Sequence, residues 1–91
     1  MLNPKYTKQF KKDLKRFENQ KSTMIELQNV IKNLLNEQPL NRKYGDHALG
    51  GNWIHHRECY VKPDTLLIYS VNAKDKILKL ERFGSHSELF S

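Results

Sequence analysis

The hydrophobic period of this chain changes once, near its middle, and that change restricts the folds open to it. Through residues 6 to 36 apolar side chains return every three or four positions, whereas from residue 53 they alternate or run together in short stretches. The first spacing puts apolar groups on one face of a helix, the second on one face of a strand. In YTKQFKKDLKRF, Tyr6, Phe10, Leu14 and Phe17 recur at helical spacing among basic residues, which predicts a basic amphipathic helix. STMIELQNVIKNLLNEQPL predicts a second helix. Thr23 and Glu26 are spaced as a capping box, Met24, Leu27, Val30, Ile31, Leu34 and Leu35 form a wide apolar face, and Pro39 ends it. Asn19 to Ser22 is the expected turn, and two helices with one apolar face each need a third surface to pack on.

The second half supplies that surface. EQPLNRKYGDHALGGN, residues 37 to 52, reads as a long loop, which in a small domain points to function. WIHHRECYV, TLLIYSV and KILKLERF follow as strands, separated by the turns KPD and NAKD, and form an antiparallel meander with one buried face. A short strand near Leu2 is expected to add an edge. The expected fold is α+β, with two N-terminal helices packed on a small curled antiparallel sheet. One domain spans residues 1–91, because a chain this short can bury only a single small core.

Several function classes fall away on composition. No run of about 18 apolar residues exists, and MLNPKYTKQF has neither the apolar region nor the cleavage site of a signal peptide, so a cytoplasmic protein with no membrane partner is expected. The single cysteine, Cys59, allows no intrachain disulfide and no thiol cluster for zinc, and reads as a buried structural thiol. Lys and Arg number 16 against 10 Asp and Glu, and the whole excess of +6 lies in residues 1–45. Lys8, Lys11, Lys12, Lys15 and Arg16 make a basic stripe that can follow a phosphate backbone, cover an acidic partner, or simply keep a helix in water.

Groups able to move protons collect in the second half: His47 in the glycine-rich loop, His55 and His56, Asp64 at a turn, and His86 beyond the last strand. Arg57 and Arg82 lie on the strands between them. Imidazoles, a carboxylate and arginines on a basic protein suit RNA cleavage. A base takes the ribose 2′-hydroxyl proton, cations stabilise the phosphorane, and an acid protonates the departing oxygen, with no metal or cofactor required. Phe90 or Trp53 could stack an unpaired base, worth about 1–3 kcal/mol. Adjacent on a strand, His55 and His56 face opposite ways and cannot share one metal. Gly84 followed by Leu89 and Phe90 suggests a tail that folds back and docks.

Three separated motifs, YGDHALGGNW, RECYVKPDTLLIY and ERFGSHSELF, resemble the YafQ family within the RelE superfamily of bacterial toxins, each encoded with an antitoxin. The match covers Tyr44 to Phe90, in order and at matching spacing. It implies a RelE-like fold and a ribosome-dependent messenger RNA endonuclease, with the ribosome, messenger RNA and a DinJ-like ribbon-helix-helix antitoxin as partners. By position the resemblance assigns catalytic roles to His47, Asp64, His86 and Arg82 and RNA contact to Phe90, while Arg57 is a second cation inferred from chemistry. One position departs: where the RECH form of these toxins carries a catalytic histidine, this chain has Tyr60, a group able to donate a hydrogen bond rather than act as a base at neutral pH. Two rival readings are a non-catalytic RNA-binding module and a superfamily toxin acting on another target such as DNA gyrase.

Overall fold

The structure, a computed structural model, describes residues 1–90. The chain runs β1 (Asn3–Tyr6), α1 (Lys8–Lys15), α2 (Lys21–Leu35), β2 (His47–Ala48), β3 (Arg57–Lys62), β4 (Thr65–Asn72), β5 (Ile77–Gly84) and α3 (His86–Phe90), with single 3-10 turns at Arg42–Tyr44 and Gly51–Trp53. The strands form one sheet in the order β1-β5-β4-β3-β2. The meander of β3, β4 and β5 is antiparallel as expected. The opening strand exists but runs parallel to β5, so the sheet is mixed rather than wholly antiparallel.

Helix α1 starts on Thr7, whose hydroxyl oxygen accepts from Phe10 N–H and whose hydroxyl donates to Glu81 O. Where β1 ends, α1 runs along the exposed edge of β5 and shields it. Helix α2 begins one turn earlier than its sequence suggests. It follows Gln20, which makes no side-chain cap, so the Thr23–Glu26 capping box does not form. Thr23 lies inside the first turn, buried, and Glu26 instead accepts from the Tyr44 hydroxyl.

Both faces of the sheet are covered, which is why β4 is nearly continuously apolar. Against the helices pack Cys59, Val61, Leu67, Tyr69, Leu78, Leu80 and Phe83, meeting Phe10, Leu27 and Val30. On the far face a smaller cluster joins Leu66, Ile68 and Leu89, flanked by Leu49, Trp53 and Tyr60. Two one-residue register shifts interrupt the alternation, between Tyr60 and Lys62 in β3 and opposite Ile68 and Tyr69 in β5. The second carries Phe83 into the helix-side core and leaves Arg82 paired with Ile68 on the far face. The strand expected from Trp53 starts only at Arg57. Trp53 sits in the 3-10 turn, and His55 has φ +71, a left-handed conformation that no strand contains.

Candidate active site

The far face of the sheet carries a cleft of ≈ 500 Å³ where the β3–β4 turn meets the C-terminal helix, lined by Tyr60, Pro63, Asp64, Leu66, Ser85, His86 and Ser87. Three of the residues singled out in the sequence, Tyr60, Asp64 and His86, therefore meet here, though the chain separates them by as many as 26 positions. Asp64 and His86 are exposed and Tyr60 half-buried. The Tyr60 ring lies against Gly45, which has φ +55 and whose missing Cβ would fall 3.3 Å from Tyr60 Cδ2, so this position needs glycine twice over.

The tail is fixed by its own chemistry. Ser85 Oγ accepts from Glu88 N–H at 3.2 Å while Ser85 N–H donates to Glu88 Oε1 at 2.8 Å, a reciprocal capping box. These bonds hold the Glu88 carboxyl below its usual range. Glu88 Oε2 also accepts from Arg16 Nη1 at 2.6 Å, tying α3 to the end of α1. Leu89 is buried on Leu66 and Ile68. The rings of His86 and Phe90 lie 4.8 Å apart, tilted 38°. Gly84 leaves room for the capping carboxylate, since a Cβ there would lie 3.0 Å from Glu88 Oε1.

One residue that sequence reasoning missed organises the edge of this site. Asp13, 1% exposed, accepts from Arg82 Nε at 2.8 Å and Nη2 at 3.2 Å, from Phe83 N–H at 2.9 Å, from Gln9 Nε2 at 3.1 Å and from Arg16 Nη2 at 3.2 Å. Burial alone would raise its carboxyl, but Arg82, the Phe83 amide and Gln9 together hold it below its ordinary value. A lone aspartate within a basic helix was the available signal, since an acid kept among lysines and arginines has partners to meet.

The other nominated residues lie elsewhere. His47 is half-exposed on β2, with Nδ1 2.7 Å from Gly45 O and Nε2 3.1 Å from Glu58 Oε1, and it does not line the cleft. Glu58 is buried, and among the described residues its Oε2 has no partner. Arg57 points to the helix side, forked onto Asp46, which also accepts from the Tyr69 hydroxyl. Asp46 raises the Arg57 pKa, as Asp13 does that of Arg82. Lys8, Lys11, Lys12 and Lys15 are exposed along α1. His56 bonds Ile54 O and Glu81, and Trp53 packs edge-on against it, so both are structural in their contacts. Among the described residues no three His, Cys, Asp or Glu side chains gather as metal ligands, and no helix is long and apolar enough to cross a membrane.

A basic helix shields one sheet edge, and on the far face a docked tail brings His86 and Asp64 into one cleft, an architecture that the chain shares with small bacterial toxins. A metal-bound toxin from Helicobacter pylori, 46% identical, superposes with a TM-score of 0.91 over 99% of this chain and 100% of that one. Residues 2–91 match the family described as the bacterial toxin of type II toxin-antitoxin system, YafQ, and the chain belongs to that family. The mRNA interferase toxin YafQ of Escherichia coli K12 is 38% identical over 86 residues, covering 93% of this chain and 91% of that protein. The toxin in the E. coli DinJ-YafQ complex is 36% identical, with a TM-score of 0.87 and full coverage of both chains.

Proposed function

We propose that this toxin is a ribosome-dependent messenger RNA endoribonuclease, restrained by a DinJ-like antitoxin, that cleaves RNA by acid-base chemistry without a metal ion. The convergence of Asp64 and His86 in one cleft carries the reading, supported by the mRNA interferase and DinJ-YafQ relatives. Asp64 takes the base's position: it removes the ribose 2′-hydroxyl proton as the oxygen attacks the adjacent phosphorus. His86 protonates the departing 5′-oxygen, leaving a 2′,3′-cyclic phosphate. Tyr60 donates a hydrogen bond to a phosphate oxygen. Phe90, whose ring lies tilted beside that of His86, orders the RNA there by stacking an unpaired base. The close contact of His47 with the buried Glu58 favours a supporting role for that histidine, and Arg82 acts through the edge it shares with Asp13. Every proton transfer in this scheme is carried by a side chain of the protein.

The test is cleavage of a defined messenger RNA on purified ribosomes, with and without chelator and with ribosomes omitted. Cyclic-phosphate ends that form in chelator, need ribosomes, and disappear in the combined Asp64→Asn and His86→Ala variant are expected. Undiminished cleavage by that variant would remove the cleft from the reaction, and loss of cleavage in chelator would overturn the metal-independent part.

A further inference from the structure

A second cleft of ≈ 290 Å³ adjoins the first. It is lined on one side by Glu26, Lys43 and Tyr44 and on the other by Val61 and Lys62, and it shares Tyr60 and Pro63 with the cleavage cleft, so one ridge separates the two. We propose that this second cleft is a nucleotide subsite in which Lys62 holds a phosphodiester next to the scissile bond. The inference rests on the reading of this chain as a ribonuclease and deepens it.

Charge decides the assignment. The arginines near the cleavage cleft are already matched by carboxylates, Arg82 by Asp13 and Arg16 by both Asp13 and Glu88, while on the helix side Arg57 is matched by Asp46. Lys43 lies 3.7 Å from Glu26, which the Tyr44 hydroxyl also bonds. Lys62 differs. Its Nζ donates to Ser22 Oγ at 2.9 Å, a neutral acceptor, and among the described residues no carboxylate forms a direct ion pair with it, Glu26 acting on it only across the cleft. An ammonium carries three donors, so two remain for a ligand. The register shift between Tyr60 and Lys62 puts it there: a bulge re-aims the side chains that follow it, and Lys62 leaves the far face on which Tyr60 sits and reaches towards the start of α2. The resulting cleft sets two cations, Lys43 and Lys62, against the one carboxylate of Glu26, with the half-buried ring of Tyr60 at its rim, a combination that takes a phosphate together with its base or sugar.

Binding of a short single-stranded RNA, made uncleavable by 2′-O-methylation, tests this by fluorescence anisotropy at roughly 50 to 200 mM salt. Neutralising one phosphate contact to a single strand should lower the slope of log Kd against log salt by about 0.7. Lys62→Gln is expected to produce that change, Lys62→Arg to restore the wild-type slope, and Lys74→Gln, at the opposite end of β4, to leave it alone. An unchanged slope in Lys62→Gln, an equal change in Lys74→Gln, or no binding by the wild type would each overturn the subsite. The ribonuclease reading fails separately, if wild-type protein that binds this RNA cuts no messenger on ribosomes. Where it does cut, Lys62→Gln should raise KM about threefold or more with kcat little changed, in keeping with the loss of one phosphate contact.

Discussion

Asp64 and His86 bear the proposed chemistry, and the cleft that they line is shared with one further titratable side chain, Tyr60. Removing a general acid typically costs about 10² to 10⁴ in rate, so His86→Ala should lose most single-turnover cleavage while Tyr60→Phe, which deletes one hydrogen bond, should lose only several-fold. Tyr60→His supplies a group titrating near a reference pKa of about 6.5, and its cleavage rate should acquire a new limb around neutral pH. Asp64→Asn should reduce kcat more than His47→Ala; the reverse order would return the base to His47. Asp13 makes a prediction about stability. Its carboxyl is held below the ordinary value, so its contribution is present above the unfolded-state pKa and is lost as pH falls through the folded-state value. Asp13→Asn should therefore flatten the stability profile below about pH 4 and cost on the order of 3 kcal/mol at neutral pH, read from urea unfolding, because Arg82 loses its buried partner. Cys59, pushed up to about 12 chiefly by burial, should react with thiol reagents only after unfolding.

Among the elements, α3 is too short to be stable alone and is held by three attachments: the Ser85–Glu88 capping box, the Leu89 anchor and the Arg16 bridge. The Arg16 and Leu89 attachments reach across the fold, to the end of α1 and to the far-face cluster. Glu88→Ala removes the capping box and the bridge together and should cost about 1 kcal/mol, a typical helix-cap loss. Amide exchange over residues 85–90 should then quicken and cleavage should fall at least tenfold with the fold intact, since about 1 Å of misplacement can cost a hundredfold. Full activity with fast exchange would show that His86 needs no fixed helix. The structure forms an S-x-x-E cap at Ser85–Glu88, which the sequence reading did not single out, whereas the T-x-x-E at Thr23–Glu26 was the cap expected. Only the first formed, because Thr23 is buried within a helix that starts earlier. Strand alternation was legible in β3, where Arg57 shares its phase with Cys59 and Val61 and so faces the helices. In β5 the same rule misleads: Leu78 and Leu80 put Arg82 in the core, and the register shift exchanges it for Phe83.

At the scale of the molecule, the charge excess of residues 1–45 remains an uneven field, although Arg16 and Lys43 are partly neutralised by Asp13, Glu88 and Glu26. The four exposed lysines of α1 are its densest part open to a partner, beside the exposed Lys5, Lys21, Lys32 and Arg42. An acidic antitoxin segment should be steered by that field, with an association rate that falls as salt rises. Changing Lys8, Lys11, Lys12 and Lys15 together to Gln should slow association about tenfold or more and alter dissociation less, as measured by stopped-flow mixing at low salt. A rate indifferent to both salt and the four lysines would remove electrostatics from the encounter.

The type and order of the first two helices, the opening strand and the three-strand meander were properties of the sequence alone, because hydrophobic period and turn chemistry act over a few residues and need no distant partner, whereas β2 and α3 were not read from it. The same holds for the inventory of reactive groups and the uneven charge. Tertiary structure decided which of those groups meet. Asp64 and His86 converge only because β4 and β5 pair in one register and Leu89 finds the far-face cluster. Asp13 claims Arg82 only because α1 lies along an edge that β1 leaves uncovered, and Lys62 is aimed at Ser22 by one extra residue in β3. A one-residue shift reverses the face of every side chain beyond it, and no local pattern announces where such a shift will fall.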